Sequence, residues 1–227
     1  IISLTRVKLP PPPAAGSRGL HRLLEGFEEA KRNRVVGQCL VTIFVFSFLC
    51  LPFITQMPKI AASSLDIAPK SSAYGLLYAA FGVGAVIGAL SIGTVFAQAS
   101  KARLTRLGLV GFAVMLFVFG SLRIAPPAYL AILLLGCVYF AVITSLSTVL
   151  QQDLDDRVRG KVMALWIMGF GGTVPFGGLL GGVAMEHFGV EPVIIAGAGV
   201  ALVLAWWADL QPVSPRQQKR HHALQPG

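Results

Sequence analysis

The sequence predicts an all-α membrane protein with six transmembrane helices, and three observations carry that prediction. Between Val35 and Ala208 the chain is a succession of long apolar runs whose central stretches hold no Lys, Arg, Asp or Glu. Hydrophobic residues make up 55% of the chain and charged residues 13%, with a mean hydropathy of +0.71, which leaves too little polar surface to coat a soluble domain of 227 residues. The basic residues, finally, alternate in density from one connection between runs to the next.

The chain opens on Ile1-Ile2-Ser3-Leu4, then Arg6, Lys8 and the prolines Pro10 to Pro13, a pattern expected for the last turn of a helix leaving a membrane on its cytoplasmic side. The expectation is a C-terminal piece of a longer polytopic protein, with a natural six-helix protein as the alternative. Residues 1–34 form a cytoplasmic linker. Within it Leu20, Leu23, Leu24 and Phe27 recur at helical spacing among charged neighbours, which predicts an amphipathic interfacial helix or, alternatively, a solvated linker.

A helix needs roughly 20 apolar residues to cross a hydrocarbon core of about 30 Å. On that measure the spans within residues 35–209 fall at about Val35–Gln56, Ala73–Phe96, Leu107–Leu122, Ala128–Leu150, Val162–Met185 and Val193–Ala208. The third and sixth are short, so Arg106 and Asp209 are expected at the interface, reaching toward headgroups. Residues 210–227 form a basic cytoplasmic tail.

Orientation follows from the charges. Arg6, Lys8, Arg18, Arg22, Lys31, Arg32 and Arg34 precede the first span, Lys101, Arg103 and Arg106 lie in the second connection, and Arg157, Arg159 and Lys161 lie in the fourth. Arg216, Lys219 and Arg220 are in the tail, so 16 of the 19 basic residues share one side and only Lys59, Lys70 and Arg123 face the other. The positive-inside rule makes the basic side cytoplasmic, places both termini there and requires an even number of crossings. A net charge of +9 scattered over short loops is not the stripe or patch that a nucleic-acid partner requires. Cys39, Cys50 and Cys137 all fall inside spans; Cys39 and Cys50 are separated by about 16 Å of helix rise, too far for a disulfide, and all three are expected to pack as small apolar residues.

Glycine is concentrated in two spans. The second holds Gly75, Gly82, Gly84, Gly88 and Gly93; the fifth holds Gly169, Gly171, Gly172, Gly177, Gly178, Gly181 and Gly182, with Pro175 among them. Small residues four apart let helix backbones approach closely in lipid, and Gly84/Gly88, Gly177/Gly181 and Gly178/Gly182 have that spacing. Pro175 removes a backbone hydrogen bond and favours a kink. Taken as two groups of three helices, the glycine-rich spans are the middle members of each, the matched arrangement of secondary transporters that rock between access states; static tight packing explains the pairs as well. The fourth connection, Gln151 to Lys161, is the densest charge cluster. It is either a cytoplasmic latch built from Asp155, Asp156, Arg157 and Arg159 or a solvated loop.

Thr148 to Gln152, Asp156-Arg157-Val158-Arg159-Gly160-Lys161-Val162-Met163-Ala164-Leu165, and the glycine-rich run ending Glu186-His187-Phe188-Gly189 resemble helices ten and eleven of the major facilitator superfamily. The similarity is greatest to the branch that holds the enterobactin exporter and bacterial drug-efflux proteins. Tyr74-Gly75-Leu76-Leu77 through Gly88-Ala89-Leu90 resembles the eighth helix of that superfamily. The resemblance implies that the six spans correspond to helices seven to twelve, one half of a major-facilitator-type bundle, in a bacterial plasma membrane. It implies proton-coupled export of amphipathic small molecules such as drugs or siderophores by alternating access, together with an N-terminal six-helix half or a second copy. The stretch from Gly93 to Arg106 departs from the pattern, because it holds Lys101, Arg103 and Arg106 but no Asp or Glu.

The residues add their own constraints. No Gly-x-x-x-x-Gly-Lys-Ser/Thr loop appears, so no nucleotide cofactor is expected. The histidines lack partners at metal-ligand spacing, and Thr144, Ser145, Ser147 and Thr148 have no membrane-embedded base beside them in sequence, so neither a metal site nor an enzyme is expected. Those hydroxyls are expected to bond the preceding helical turn. No span centre holds an ionisable group, which assigns proton coupling to a missing half. Candidate cavity residues are Gln38, Thr42, Thr55, Gln56, Tyr74, Tyr78, Tyr139, Thr144 and Trp166, whose amide, hydroxyl and aromatic groups suit amphipathic cargo without a fixed charge. The competing class is a nontransporting membrane scaffold or assembly subunit; a channel would need a continuous polar stripe that the sequence lacks.

Overall fold

A computed structural model of the chain describes residues 19–152, 154 and 156–208. Among the described residues there are ten α-helices, two π-helical turns and no strand. α1 (Gly19–Arg32) is the helix expected before the first span, and it packs on the basic end of the fifth span. There Gly26 comes so close that a methyl group in its place would stand 3.1 Å from the Lys161 carbonyl oxygen. Asn33 then caps the first span: its Oδ1 accepts the N–H of Val35 at 3.0 Å and of Val36 at 3.4 Å.

The first span, Arg34–Thr55, is built from α2 (Arg34–Val45), a π turn at Phe46–Cys50 and α3 (Pro52–Thr55). A short helix α4 (Met57–Ser64) leads to the second span α5 (Ser72–Gly93), where the Ser71 hydroxyl accepts the Tyr74 N–H at 3.2 Å. The third span is α6 (Lys101–Ser121) and the fourth α7 (Ala125–Gln152). The fifth, Val158–Phe188, joins α8 (Asp156–Ile167), a π turn at Met168–Gly172 and α9 (Thr173–Phe188). After Gly189, whose φ of +88° favours glycine, the sixth span α10 (Val190–Trp207) begins at once.

The third span is longer than its apolar run. It starts at Lys101 rather than near Leu107, because Ala102 and Thr105 are buried on its first turns and Lys101 is held in place. The Lys101 Nζ donates to the carbonyls of Ile92, Phe96 and Ala97, which closes the end of α5 in the connection that has no acidic residue. The fifth span also outruns its apolar core at both ends, at 31 residues.

The second span lies on the fourth, the fifth on the first, the third on the fourth and sixth, and the sixth on the π turn of the first. Spans one to three therefore interlock with spans four to six rather than forming two separate bundles. The main core surrounds Phe46, Phe112, Leu116, Leu135 and Tyr139. A second cluster joins Val36 and Ile43 to Leu146, Leu150 and Trp166, and includes Ala102, Leu154 and Ala208; it thus gathers the two basic connections with the start of the first span and the residue that follows the sixth. At the opposite end Arg123 pairs with Glu191, and Lys59 lies 3.9 Å from Glu186.

Backbone contact fixes the pair of α5 and α7. A methyl at Gly84 would sit 1.9 Å from the Leu133 oxygen, one at Gly88 1.9 Å from the Cys137 oxygen, and on the facing helix one at Gly136 2.3 Å from the Phe81 oxygen. Gly75, Gly82 and Gly93, on other faces of α5, meet nothing within 4 Å. In lipid, where apolar surface gains nothing by leaving the solvent, such close packing is what holds helices together. Gly84→Ala is expected to lower unfolding stability in detergent by about 1–3 kcal/mol, as overpacking does. Gly82→Ala is expected to stay within about 0.5 kcal/mol of the parent. Chemical unfolding of the two variants side by side checks the contrast.

Candidate functional site

Pro52 has no N–H to give the Phe48 carbonyl, and in a regular α-helix its ring would press on that oxygen. The first span widens into the π turn Phe46–Cys50 just ahead of it. Pro175 stands in the same relation to Gly171, and the π turn Met168–Gly172 precedes it. The two π turns touch each other, and Gly169 packs on the Phe44 ring.

Around this joint the fifth span wraps the proline-bent end of the first. A methyl at Gly177 would stand 2.3 Å from the Phe48 oxygen, the carbonyl that Pro52 leaves without its helical donor. Methyls at Gly178 and Gly181 would stand 2.5 Å from the Thr55 Oγ1 and 2.4 Å from the Pro52 Cβ. Gly182 faces Gln56, whose Nε2 donates to the Gly178 carbonyl at 3.0 Å. Pro175 itself is on an exposed face, beside Gly171 and Gly172, which meet nothing within 4 Å.

The candidate cavity residues divide into separate groups. Thr55, Gln56, Tyr74 and Tyr78 come together at the end away from the basic residues. There the Tyr78 hydroxyl donates to the Ile54 carbonyl at 3.2 Å, and the Tyr74 and Tyr78 rings meet edge-on with centroids 5.5 Å apart. Thr55 is exposed, with its hydroxyl donating to the Pro52 carbonyl at 2.9 Å. Gln38 and Thr42 lie on the basic half of the first span, and Trp166 is buried on the basic half of the fifth. Gln38 and Gln56 are separated by about 27 Å of helix rise, so one small molecule does not touch both. Tyr139 is inside the core, with its ring 6.0 Å from Phe46, 5.8 Å from Phe81 and 4.9 Å from Phe140. Thr144 is half-buried, and its carbonyl takes the Thr148 hydroxyl at 2.7 Å.

Among the described residues, four buried side-chain polar atoms have no protein partner: Gln38 Oε1, Thr42 Oγ1, Ser47 Oγ and Ser145 Oγ. Three are on the first span and one on the fourth, the two helices that every other span packs against. Such groups are costly to bury unpaired. Gln38 and Thr42 were expected from composition; Ser47 was not. Ser145 was expected to bond its own helix, as Thr148 does, and instead has no partner. Of the proposed latch, Asp155 and the side chains of Asp156 and Arg157 lie outside the described residues, while Arg159 is exposed on α8.

The family described as transmembrane secretion effector, of the major facilitator superfamily, matches residues 5–224. The chain belongs to that family. This major facilitator chain is 28% identical over 194 residues to the gallate transporter of Pseudomonas putida, across 81% of its own length and 42% of that protein. It is 26% identical over 203 residues to the enterobactin exporter EntS of Shigella flexneri, across 88% of its own length and 47% of the exporter. The Citrobacter koseri exporter is 26% identical over 198 residues, 86% of this chain and 46% of that one. The chain thus spans a little under half the length of the curated relatives it matches. No solved structure matches it.

A π turn adds one residue to a helix without changing the register of its flanks. Deleting Leu49 is therefore expected to leave a folded, monodisperse protein in detergent. Deleting Val41, which turns the preceding helix by about 100° relative to the rest, is expected to prevent folding. Size-exclusion profiles of the two deletions check this.

Proposed function

We propose that these six helices are the C-terminal half of a proton-coupled exporter of amphipathic small molecules, with both ends of the chain in the cytoplasm of a bacterial cell. Membership of a secretion-effector family, over nearly the whole chain, is the observation that supports the reading most strongly. The relatives are named for an exported siderophore and for gallate, both small organic molecules. The sidedness rests on the 16 basic residues gathered at one end.

The structure divides the glycines of the second and fifth spans in a way that fits a half-transporter. One set, Gly84 and Gly88 with Gly177, Gly178 and Gly181, is used up in contacts within the six helices. The other, Gly75, Gly82, Gly93, Gly171 and Gly172, stays open on the same two helices. We assign the open set to a second six-helix unit, either an upstream half or another copy, against which this one rocks. Proton coupling belongs to that unit, because the described span centres here carry no ionisable side chain. Cargo contacts fall to the exposed Thr55 and Tyr78 with the half-buried Gln56 and Tyr74 at one end, and to the half-buried Thr144 on the fourth span.

Gly82→Leu and Gly171→Leu, made in the chain joined to its upstream genomic sequence, separate this from a scaffold. Membrane insertion and yield are expected to match the parent, while the initial efflux rate of a fluorescent amphipathic dye falls about tenfold, the effect of roughly 1.4 kcal/mol on a rate-limiting transition. Unchanged efflux in both variants contradicts the role of the open faces. Failed insertion points to packing within the six helices instead.

A further inference from the structure

The outer surface between α6 and α10 carries a groove that none of the transport machinery uses. It has a volume of about 460 Å³ and lies at the basic end. Arg103 and Arg106 stand at its mouth, three residues apart and so on one face of α6. Below them the walls are Leu107 and Val110 from α6 and Leu202 from α10, with the Trp206 ring, 81% exposed, on the rim.

We propose that this groove binds one anionic phospholipid of the cytoplasmic leaflet, its phosphodiester on the two arginines and an acyl chain along the apolar wall. The charge is positioned for it. The Arg106 Nε donates to the Ala205 carbonyl at 3.1 Å, which pins the guanidinium across the groove. Among the described residues, the other four N–H groups of that fork and all of those of Arg103 have no partner. No described acid lines the groove: α6 has none, the connection from Gly93 to Arg106 has none, and the one acid of α10, Glu191, pairs with Arg123 at the opposite end. Lys101, the remaining cation of this connection, is occupied in capping α5.

The length also fits a lipid better than a free anion. From Arg103 to Val110 the groove descends about 10 Å, passing from cation to hydrocarbon as a phospholipid does. Exposed Leu107 and Leu202 give inorganic phosphate nothing, whereas an acyl chain covers them. A tryptophan at the rim suits the headgroup level of a bilayer. Basic pockets between helices on the cytoplasmic side recognise anionic headgroups by this combination of charge and depth.

The leaflet, though not the site, rests on the sidedness proposed above. The test titrates the purified 227-residue chain in micelles with phosphatidylglycerol, with phosphatidylcholine of the same chains, and with inorganic phosphate, and counts retained ligand by native mass spectrometry. Phosphatidylglycerol is expected to be retained about fivefold or more over phosphatidylcholine, with about a fivefold loss in Arg103→Gln and little loss in Arg103→Lys. Phosphate alone is expected neither to bind nor to compete. Trp206→Ala, a change at an exposed ring, is expected to weaken retention without altering the lipid-free melting midpoint, so it keeps the test open should Arg103→Gln fold poorly. Equal retention of the two lipids, full retention in Arg103→Gln, or phosphate binding as well as the lipid would each overturn the site. Labelling of Gln98→Cys from outside intact cells by an impermeant maleimide would overturn the leaflet and the sidedness while leaving the micelle result intact.

Discussion

The contact on which this structure depends is between backbones. Where α5 crosses α7 glycine brings main chain against main chain with no room for a Cβ; where α9 crosses the first span, Gly177 does the same against Phe48 while Gly178 and Gly181 press on the Thr55 and Pro52 side chains. A membrane interior does not press apolar helices together, so their association comes from dispersion contacts at short range and from weak Cα–H···O contacts that only such approach allows. Gly84, Gly88 and Gly136 make one crossing and Gly177, Gly178 and Gly181 the other. Because each crossing joins a span of the first three to a span of the last three, the six helices form one interlocked unit.

The prolines add a second constraint, built on the first. Pro52 has no N–H to offer the Phe48 carbonyl, and the absence of a Cβ at Gly177 lets the fifth span approach that oxygen. The widened turns ahead of Pro52 and Pro175 touch, so the irregular stretch of one helix is supported by that of the other. Non-ideal backbone within a membrane persists where protein covers it. The hydroxyls of Thr42 and Ser47, on the same span as Pro52, are buried there without a protein partner.

Much of this was legible in the sequence, and the rest was hidden for physical reasons. Length and apolarity placed the spans, because a bilayer demands both at once. Glycine spacing singles out Gly84/Gly88, Gly177/Gly181 and Gly178/Gly182, all of which meet a neighbouring helix, but it assigns no face to Gly82 and Gly171, which meet nothing. The third span was placed too short, because the amphipathic turn at Lys101 to Arg106 carries helix without hydropathy. Pro175 pointed to one irregular turn; the equivalent signal at Pro52 went unused because it lay near the end of an apolar run. The candidate cavity residues follow from their chemical groups, and composition does not say which of them share a face or an end. Tyr139 is instead held in a cluster of phenylalanines, and Gln38 and Gln56 lie at opposite ends of one helix.

On the proposal that the open glycine faces meet a second six-helix unit, these six helices do not transport by themselves. Energised efflux of a fluorescent amphipathic compound, from cells expressing the chain alone and from cells expressing it joined to its upstream genomic sequence, tests that claim most directly. The account predicts efflux from the joined chain only, abolished by a protonophore. Equal, protonophore-sensitive efflux from a monomeric form of the 227 residues alone would contradict it.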